Sequence, residues 1–318
     1  MEYLFFDIEC AGVFKNVAKI CAFGYCLVDE QFHILDKQDI LINPKGNFHL
    51  TDRKGEQGIV LPYKYEDFKT YPTFPQLADK IYGLLQEKNR LVVGHASMND
   101  VKYLNLESQR FSLPSFKFAF ADTQFLYMNQ IGDFSRQFGL GAIAKDLGVE
   151  FTPHRAVDDA YATMKVAEAM CKKENLPLPA LIEKYQITLG RIENYTVQQT
   201  SSAGFANFKA EREKAKEARE KARASFHIFA DRAKRKRAKD GVLKNKRVCF
   251  SHLLELQQPL VNELLLSAFA QGALISFRAE ECDVYVCFAT ENDMRKQSAE
   301  RVGAKVYAVD DFKAFLGV

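Results

Sequence analysis

The 318-residue chain has no tryptophan and seven cysteines without a Cys-x2-Cys pair among them. Cys10, Cys21, Cys26, Cys171, Cys249, Cys282 and Cys287 are odd in number and scattered. That pattern argues against a zinc site or a disulfide framework, and buried, reduced thiols are expected. No stretch approaches the length of apolar sequence that a transmembrane helix needs. The N-terminus lacks a basic segment, and Asp7 and Glu9 interrupt its only early apolar run. No signal peptide is therefore visible, and a cytoplasmic location without membrane contact is expected. What the chain does have is 47% hydrophobic residues, enough for a sizeable core and for two domains.

Carboxylates stand in three informative places: Phe5-Phe6-Asp7-Ile8-Glu9, Val93-Gly94-His95 running to Asp100, and His154-Arg155-Ala156-Val157-Asp158-Asp159-Ala160. Tyr3 to Ile8 is dense in aromatic and β-branched residues and reads as a buried strand. Side chains two apart share a strand face, so Asp7 and Glu9 fall side by side, with Leu4, Phe6 and Ile8 on the other face. Two such carboxylates repel unless something positive lies between them, and hard oxygen ligands suit Mg²⁺ or Mn²⁺.

A helix from about Ala156 to Cys171 places Val157, Ala160, Met164, Ala167 and Cys171 on one apolar stripe. The line through Asp158 continues to Ala162, Lys165, Ala169 and Lys172 and reads as solvent-facing. The line through Asp159 continues to Thr163, Val166 and Met170 and flanks the stripe, which makes Asp159 the better ligand candidate. His154 follows Pro153 and is expected in the loop before this helix.

Asp-x-Glu, Gly-His-x4-Asp and His-x4-Asp-Ala, in this order, resemble the motifs of the DEDDh 3′→5′ exonucleases over about residues 1 to 175. The resemblance implies a ribonuclease H-like fold. It also implies two metal ions, Mg²⁺ or Mn²⁺, held by Asp7, Glu9, Asp100 and Asp159, and His154 as general base. His95 ends a strand, where a hydrogen-bonded structural role is expected. Cys10-Ala11-Gly12 replaces the more usual Thr-Thr-Gly, and the family's His-Gly-Ile-Thr stretch is absent from residues 46 to 72. Both departures lie where such enzymes touch the 3′ end, so substrate preference stays open.

Ala18 to Val28 and His33 to Ile42 read as strands around a turn at Asp29-Glu30-Gln31, followed by a long connection over 44 to 72. Phe74 to Glu87 reads as a helix, Leu91 to Gly94 as a strand, Asp100 as the start of a helix, and Phe116 to Ala121 as the last strand of a mixed α/β sheet. An exonuclease domain is expected over 1–180, a linker with a basic helix over 181–241, and a small α/β domain over 242–318.

Residues 209 to 247 hold 16 Lys+Arg against 6 Asp+Glu, a net of +10, so the remainder must carry −7 to reach the total of +3. Phe205 to Lys239 reads as a helix with a weak heptad through Phe208, Ala215, Ala222 and Phe229. A solvated spacer is the first reading; a nucleic-acid-binding helix or a coiled coil stays open. Arg232, Lys234, Arg235, Lys236 and Arg237 are the candidates for phosphate contact.

Beyond Gly241, strands are expected at Arg247–Phe250, Ala273–Phe277, Val284–Phe288 and Lys305–Val309, and helices at Pro259–Gln271, Met294–Val302 and Phe312–Leu316. Val248-Cys249-Phe250-Ser251, Gln271-Gly272-Ala273, Cys282-Asp283-Val284-Tyr285-Val286 and Ala299-x3-Gly303-Ala304 resemble the landmarks of a BRCT domain. A glycine after Ser251 and the tryptophan of the last helix are missing. The resemblance implies a protein partner and makes Ser251 and Lys296 phosphate-binding candidates; the plainer reading has Ser251 capping local backbone and Lys296 as a surface charge. The expected function is exonuclease action on nucleic-acid 3′ ends, DNA first, in repair or replication. An exoribonuclease and a scaffold with a degenerate nuclease domain are the rivals.

Overall fold

The computed structural model describes residues 1–46, 63, 65–150 and 155–318. Residues 1–209 and 210–318 form two compact units.

The first unit opens with an antiparallel meander of β1 (Glu2–Phe14), β2 (Val17–Val28) and β3 (Ile34–Leu41). After α1 (Tyr65–Phe68) and α2 (Phe74–Leu85), β4 (Arg90–Gly94) lies parallel to β1. Then follow α3 (Met98–Arg110), β5 (Phe118–Asp122), α4 (Thr123–Ile131), α5 (Leu140–Asp146), α6 (Ala156–Glu174) and α7 (Leu178–Lys184). Four short strands close the unit: β6 (Ile187–Thr188), β7 (Gly190–Glu193), β8 (Thr196–Gln198) and β9 (Ser201–Ser202). Seven strands form one mixed sheet in the order β3-β2-β1-β4-β5-β7-β8.

The sheet is covered on both faces, which is why β1 reads as a nearly unbroken apolar run. Tyr3 and Phe5 join one core with Met164, Ala167 and Leu181, while Leu4, Phe6 and Ile8 join another with Ile81, Val101 and Leu104. Asp7 and Glu9 continue the Tyr3–Phe5 row and so face α6.

Contrary to expectation, Phe116–Ala121 does not hold the last strand of the sheet, and the residues from 181 to 209 belong to the first unit and not to a linker. β7 pairs with β5 through Ile192 opposite Phe118, and Ile187 and Ile192 are buried. These strands are too short and polar to stand out as a periodic pattern, and they persist because β5 offers them an edge. Ala162, read as solvent-facing, is fully buried. α6 packs against α4, α5 and α7 as well as the sheet, so more than one stripe is covered. Most of the 44–72 connection lies outside the described residues.

α8 (Ala203–Ala233) ends earlier than the expected helix over 205–239; Lys234–Lys236 is a single 3-10 turn. Its Phe205 contacts Phe125 and its Phe208 contacts Phe134, inside the first unit. The expected heptad is not the buried face. Ala215 is exposed, and in the second unit the buried residues are Phe226, Ala230 and Ala233, because the core there selects an i, i+4, i+7 row.

The second unit contains β10 (Arg247–Phe250), α9 (His252–Leu256), α10 (Gln258–Ala270), β11 (Leu274–Ile275), β12 (Val284–Cys287), α11 (Met294–Arg301), β13 (Lys305–Ala308) and α12 (Val309–Leu316). Its sheet is parallel throughout in the order β11-β10-β12-β13. The strand expected over 273–277 is shorter because Ser276 turns the chain, its Oγ accepting from the Arg278 N–H at 3.1 Å.

Candidate active site

Asp7 and Glu9 from β1 and Asp159 from the first turn of α6 bring carboxylate oxygens within 4.8 Å of one another. β1 supplies two of the three by its two-residue repeat. Directly after Glu9 the β1–β2 register shifts: Glu9 lies opposite Ala22, Cys10 opposite Ile20 and Gly12 opposite Lys19. A bulge of this kind bends the strand and re-aims the side chains beside it.

Asp159 is delivered by a close approach of backbone to backbone. Gly24 on β2 pairs with Asp7 and therefore shares its face. A Cβ at Gly24 would stand 2.0 Å from the Ala156 carbonyl carbon and 2.1 Å from the Val157 nitrogen, so only glycine admits the start of α6 here. Asp39 of β3 holds the same helix end: Arg155 Nε donates to its Oδ2 at 2.9 Å and Tyr63 Oη at 3.3 Å, while the Ala156 N–H donates to Tyr63 Oη. Gly24, Asp39, Arg155 and Tyr63 were missed in the sequence reading. Only Gly24, a lone glycine inside an aromatic strand run, carried a usable signal.

Asp100 is buried in the first turn of α3, just past the C-terminal end of β4. It lies outside the three-carboxylate group, yet it is the first charged neighbour acting on Asp7. The loop that sets α3 in place is tied to Asp122, whose carboxylate accepts from the Ala96 N–H at 2.9 Å and the Ser97 N–H at 3.0 Å. His95 contacts Thr123 Oγ1 at 3.0 Å with Nδ1 and the Phe138 carbonyl at 3.1 Å with Nε2, so both ring nitrogens are engaged structurally. Burial pulls its pKa down to about 4. Asp158 is not in the three-carboxylate group. His154 lies outside the described residues.

Burial, reinforced by Asp100, Asp159 and Glu9, raises the Asp7 pKa well above the usual carboxylate range. Burial, then Asp159 and Asp39, pushes Glu9 up to about 8. Asp100 is raised too, mainly by burial, although its own backbone and that of Ile8 pull the other way. Among the described residues no ion pair relieves Asp7, Glu9 or Asp100. A hard divalent cation fits this donor set: every donor is a carboxylate oxygen, and a cation would offset both the desolvation and the mutual repulsion.

The exonuclease (RNase T) family model matches residues 4–167, which is 164 of the 318 residues. The chain belongs to the exonuclease family. No curated protein matches it significantly in sequence. Among solved structures it is similar to a 3′-exonuclease that recognises a histone mRNA stem-loop, at 15% identity and a TM-score of 0.47, over 64% of this chain and 71% of the other. The nuclease domain of 3′hExo bound to rAMP is similar at 18% identity and a TM-score of 0.44, over 54% and 92%. E. coli exonuclease I with a dA16 oligonucleotide is similar at 17% identity and a TM-score of 0.44, over 58% and 42%. At such identities and scores, membership of the exonuclease family rests on the match over residues 4–167. No helix among the described residues is long and apolar enough to cross a membrane.

The remaining candidates lie in the second unit. Arg232, Lys234, Arg235, Lys236 and Arg237 are exposed at the end of α8 and in the turn after it. Ser251 is fully buried; its hydroxyl donates to Glu291 Oε1 at 2.7 Å and accepts from the Leu254 N–H at 3.1 Å, capping α9. Lys296 Nζ donates to the Glu291 carbonyl at 3.0 Å. Ser251 and Lys296 thus converge on Glu291. With a side-chain carboxylate already holding the Ser251 hydroxyl, this geometry favours the capping role over phosphate binding.

Proposed function

We propose that this exonuclease is a divalent-metal-dependent 3′→5′ enzyme with a ribonuclease H-like catalytic domain, releasing nucleoside 5′-monophosphates from nucleic-acid 3′ ends. The observation that carries the reading is the convergence of Asp7, Glu9 and Asp159 within 4.8 Å, with Asp100 the first charged neighbour acting on Asp7. Asp7, Glu9 and Asp159 would hold one Mg²⁺ or Mn²⁺, and Asp7 and Asp100 would serve a second. Bound there, the ions supply charge neutralisation of the scissile phosphate and an activated water.

The protein's own residues have separate tasks. Asp7 and Glu9, fixed on a strand buried on both faces, set the ligand spacing, and the Asp39–Arg155 pair with Gly24 holds Asp159 against them. His154, by the resemblance, takes the proton from the attacking water, a task suited to an imidazole near neutral pH. Cys10 to Gly12, past the bulge, would meet the 3′ end.

DNA is the first substrate on this reading. The all-parallel second unit has the strand order β11-β10-β12-β13, which is compatible with the BRCT-like reading; a repair or replication setting and a protein partner are what that resemblance implies. RNA ends are the second substrate class. The deciding experiment measures mononucleotide release from matched single-stranded DNA and RNA oligonucleotides with Mg²⁺ or Mn²⁺. Faster release from DNA is expected, with none from Asp7→Asn. No release from either substrate by the wild type would sink the enzymatic reading.

A further inference from the structure

The second unit contains a cavity of about 430 Å³ beside the basic segment. Lys234, Arg237 and Arg247 line it together with Phe269, Ala273, Leu274 and Ile275. Its volume lies within the usual range for small-ligand pockets. Cations next to an apolar wall match the two halves of a nucleotide, a charged phosphate and a planar base.

The local fold explains why these residues meet. The 3-10 turn after α8 repeats every three residues, so Lys234 and Arg237 fall on one side of it. The Ala238 N–H donates to the Phe269 carbonyl at 2.9 Å, tying this segment to the end of α10. Lys244 to Arg247 then lead into β10, and β11, at the edge of the sheet, pairs with β10 alone through Arg247 opposite Leu274.

Residues 231–247 hold nine Lys+Arg and two Asp, a net of +7. Lys234 Nζ is 2.9 Å from Asp231, Lys244 is 3.3 Å from Asp240, and Arg247 Nε is 3.6 Å from Asp283. These pairs are largely exposed and therefore weak, so a phosphate can compete for their cations. Arg237 has no ion-pair partner among the described residues.

We propose that this cavity binds one nucleotide unit of a single-stranded nucleic acid, with phosphate against Lys234, Arg237 and Arg247 and the base against Leu274 and Ile275. A duplex is disfavoured, because a base can enter an apolar cavity only when it is unpaired. The ligand class rests on the exonuclease reading; the cavity itself does not depend on the catalytic carboxylates.

The test uses the full-length Asp7→Asn protein in EDTA and the fluorescence anisotropy of a labelled single strand of about 20 nucleotides. Binding is followed between about 50 and 200 mM salt. Combined Lys234→Gln and Arg237→Gln should weaken binding about tenfold and flatten the salt slope by about 0.7, the increment for one phosphate contact on a single strand. Leu274→Gln, which leaves the cations in place and adds no charge, should also weaken binding about tenfold. Combined Lys214→Gln and Lys221→Gln removes equal charge from the exposed part of α8 and should change affinity less than threefold.

Equal losses from the two lysine-containing pairs, or a duplex competing as well as a single strand, would overturn the proposal in favour of diffuse attraction. Displacement by an acidic peptide at lower concentration than by unlabelled strand would overturn it in favour of a protein ligand. Circular dichroism checks that each variant folds, and the solvent-facing Lys234/Arg237 pair keeps the test valid if Leu274→Gln does not. Mononucleotide release by the wild type is measured separately. An inactive wild type whose cavity variants still lose binding would fail the exonuclease reading while leaving the cavity proposal standing.

Discussion

At the scale of single residues, helical phase separates two adjacent acids. Asp159 shares the 4.8 Å carboxylate group and Asp158 does not. Asp159→Ala should abolish mononucleotide release and the rise in melting temperature on adding Mg²⁺ or Mn²⁺, which follows from cation binding to the folded state alone. Asp158→Ala should leave both near wild type, and reversed sensitivities would show that α6 is rotated from the phase described. His154→Ala should slow release by about 10² to 10⁴, the usual contribution of a positioned general base, while keeping the metal-induced rise. Loss of that rise would make His154 a positioning residue for the metal site.

His95 provides a test by pH. Its pKa in the fold is about 4 against an ordinary value of 6.5. Between these values the unfolded chain is protonated there and the folded chain is not. Its contribution is therefore present above pH 6.5 and is lost as pH falls toward 4. Asp122, raised to about 6 mainly by burial, acts oppositely: its contribution is present at low pH and is lost as pH rises through 6. The informative quantity is thus the difference between wild type and His95→Asn. The wild type should lose on the order of 2 kcal/mol more between pH 6.5 and 4, after discounting for partial exposure. Urea unfolding at both ends of the window measures it, and parallel losses would rule it out.

At the scale of elements, the site depends on how closely α6 can approach β2. Gly24→Ala would place a Cβ 2.0 Å from backbone that has no flexible end to yield. The overpacking should cost about 1 to 3 kcal/mol and displace Asp159, lowering release at least tenfold alongside the melting temperature. Gly83→Ala in α2 is the control, since nothing lies within 4 Å of its added methyl. There the gain in helix propensity should stabilise the protein by about 1 kcal/mol at most. Unchanged activity in Gly24→Ala would mean that α6 can shift without moving its carboxylate.

At the scale of the whole molecule, the division at Lys209 and Ala210 sets where the chain can be cut. Phe205 and Phe208 contact aromatic residues of the first unit, and β7 extends its sheet. A fragment of residues 1–209 should therefore fold and cleave saturating short oligonucleotides at a rate near that of the full chain. A fragment of residues 1–180 should not fold, because it lacks Ile187 and Ile192 and leaves β5 as an open edge. Thermal melts and mononucleotide release compare the two, and a folded, active 1–180 fragment would make β7 and β8 dispensable.

Strong local patterns were readable without coordinates. The aromatic β1, the meander after it, the periodic α2 and α6, and the Asp7–Glu9 repeat all follow from side-chain periodicities of two and 3.6 residues, which are properties of neighbouring positions. The tertiary structure decided what depends on contacts between distant positions. The short strands β7 and β8 persist only because β5 offers an edge. The buried row of α8 is chosen by the core of the second unit, against the apparent heptad. Gly24 matters because α6, more than 130 positions along the chain, needs that space. Lys234, Arg237 and Arg247 share one cavity because the turn after α8 and the edge of a parallel sheet bring them together. Such relations are set by packing, and a linear pattern does not encode them.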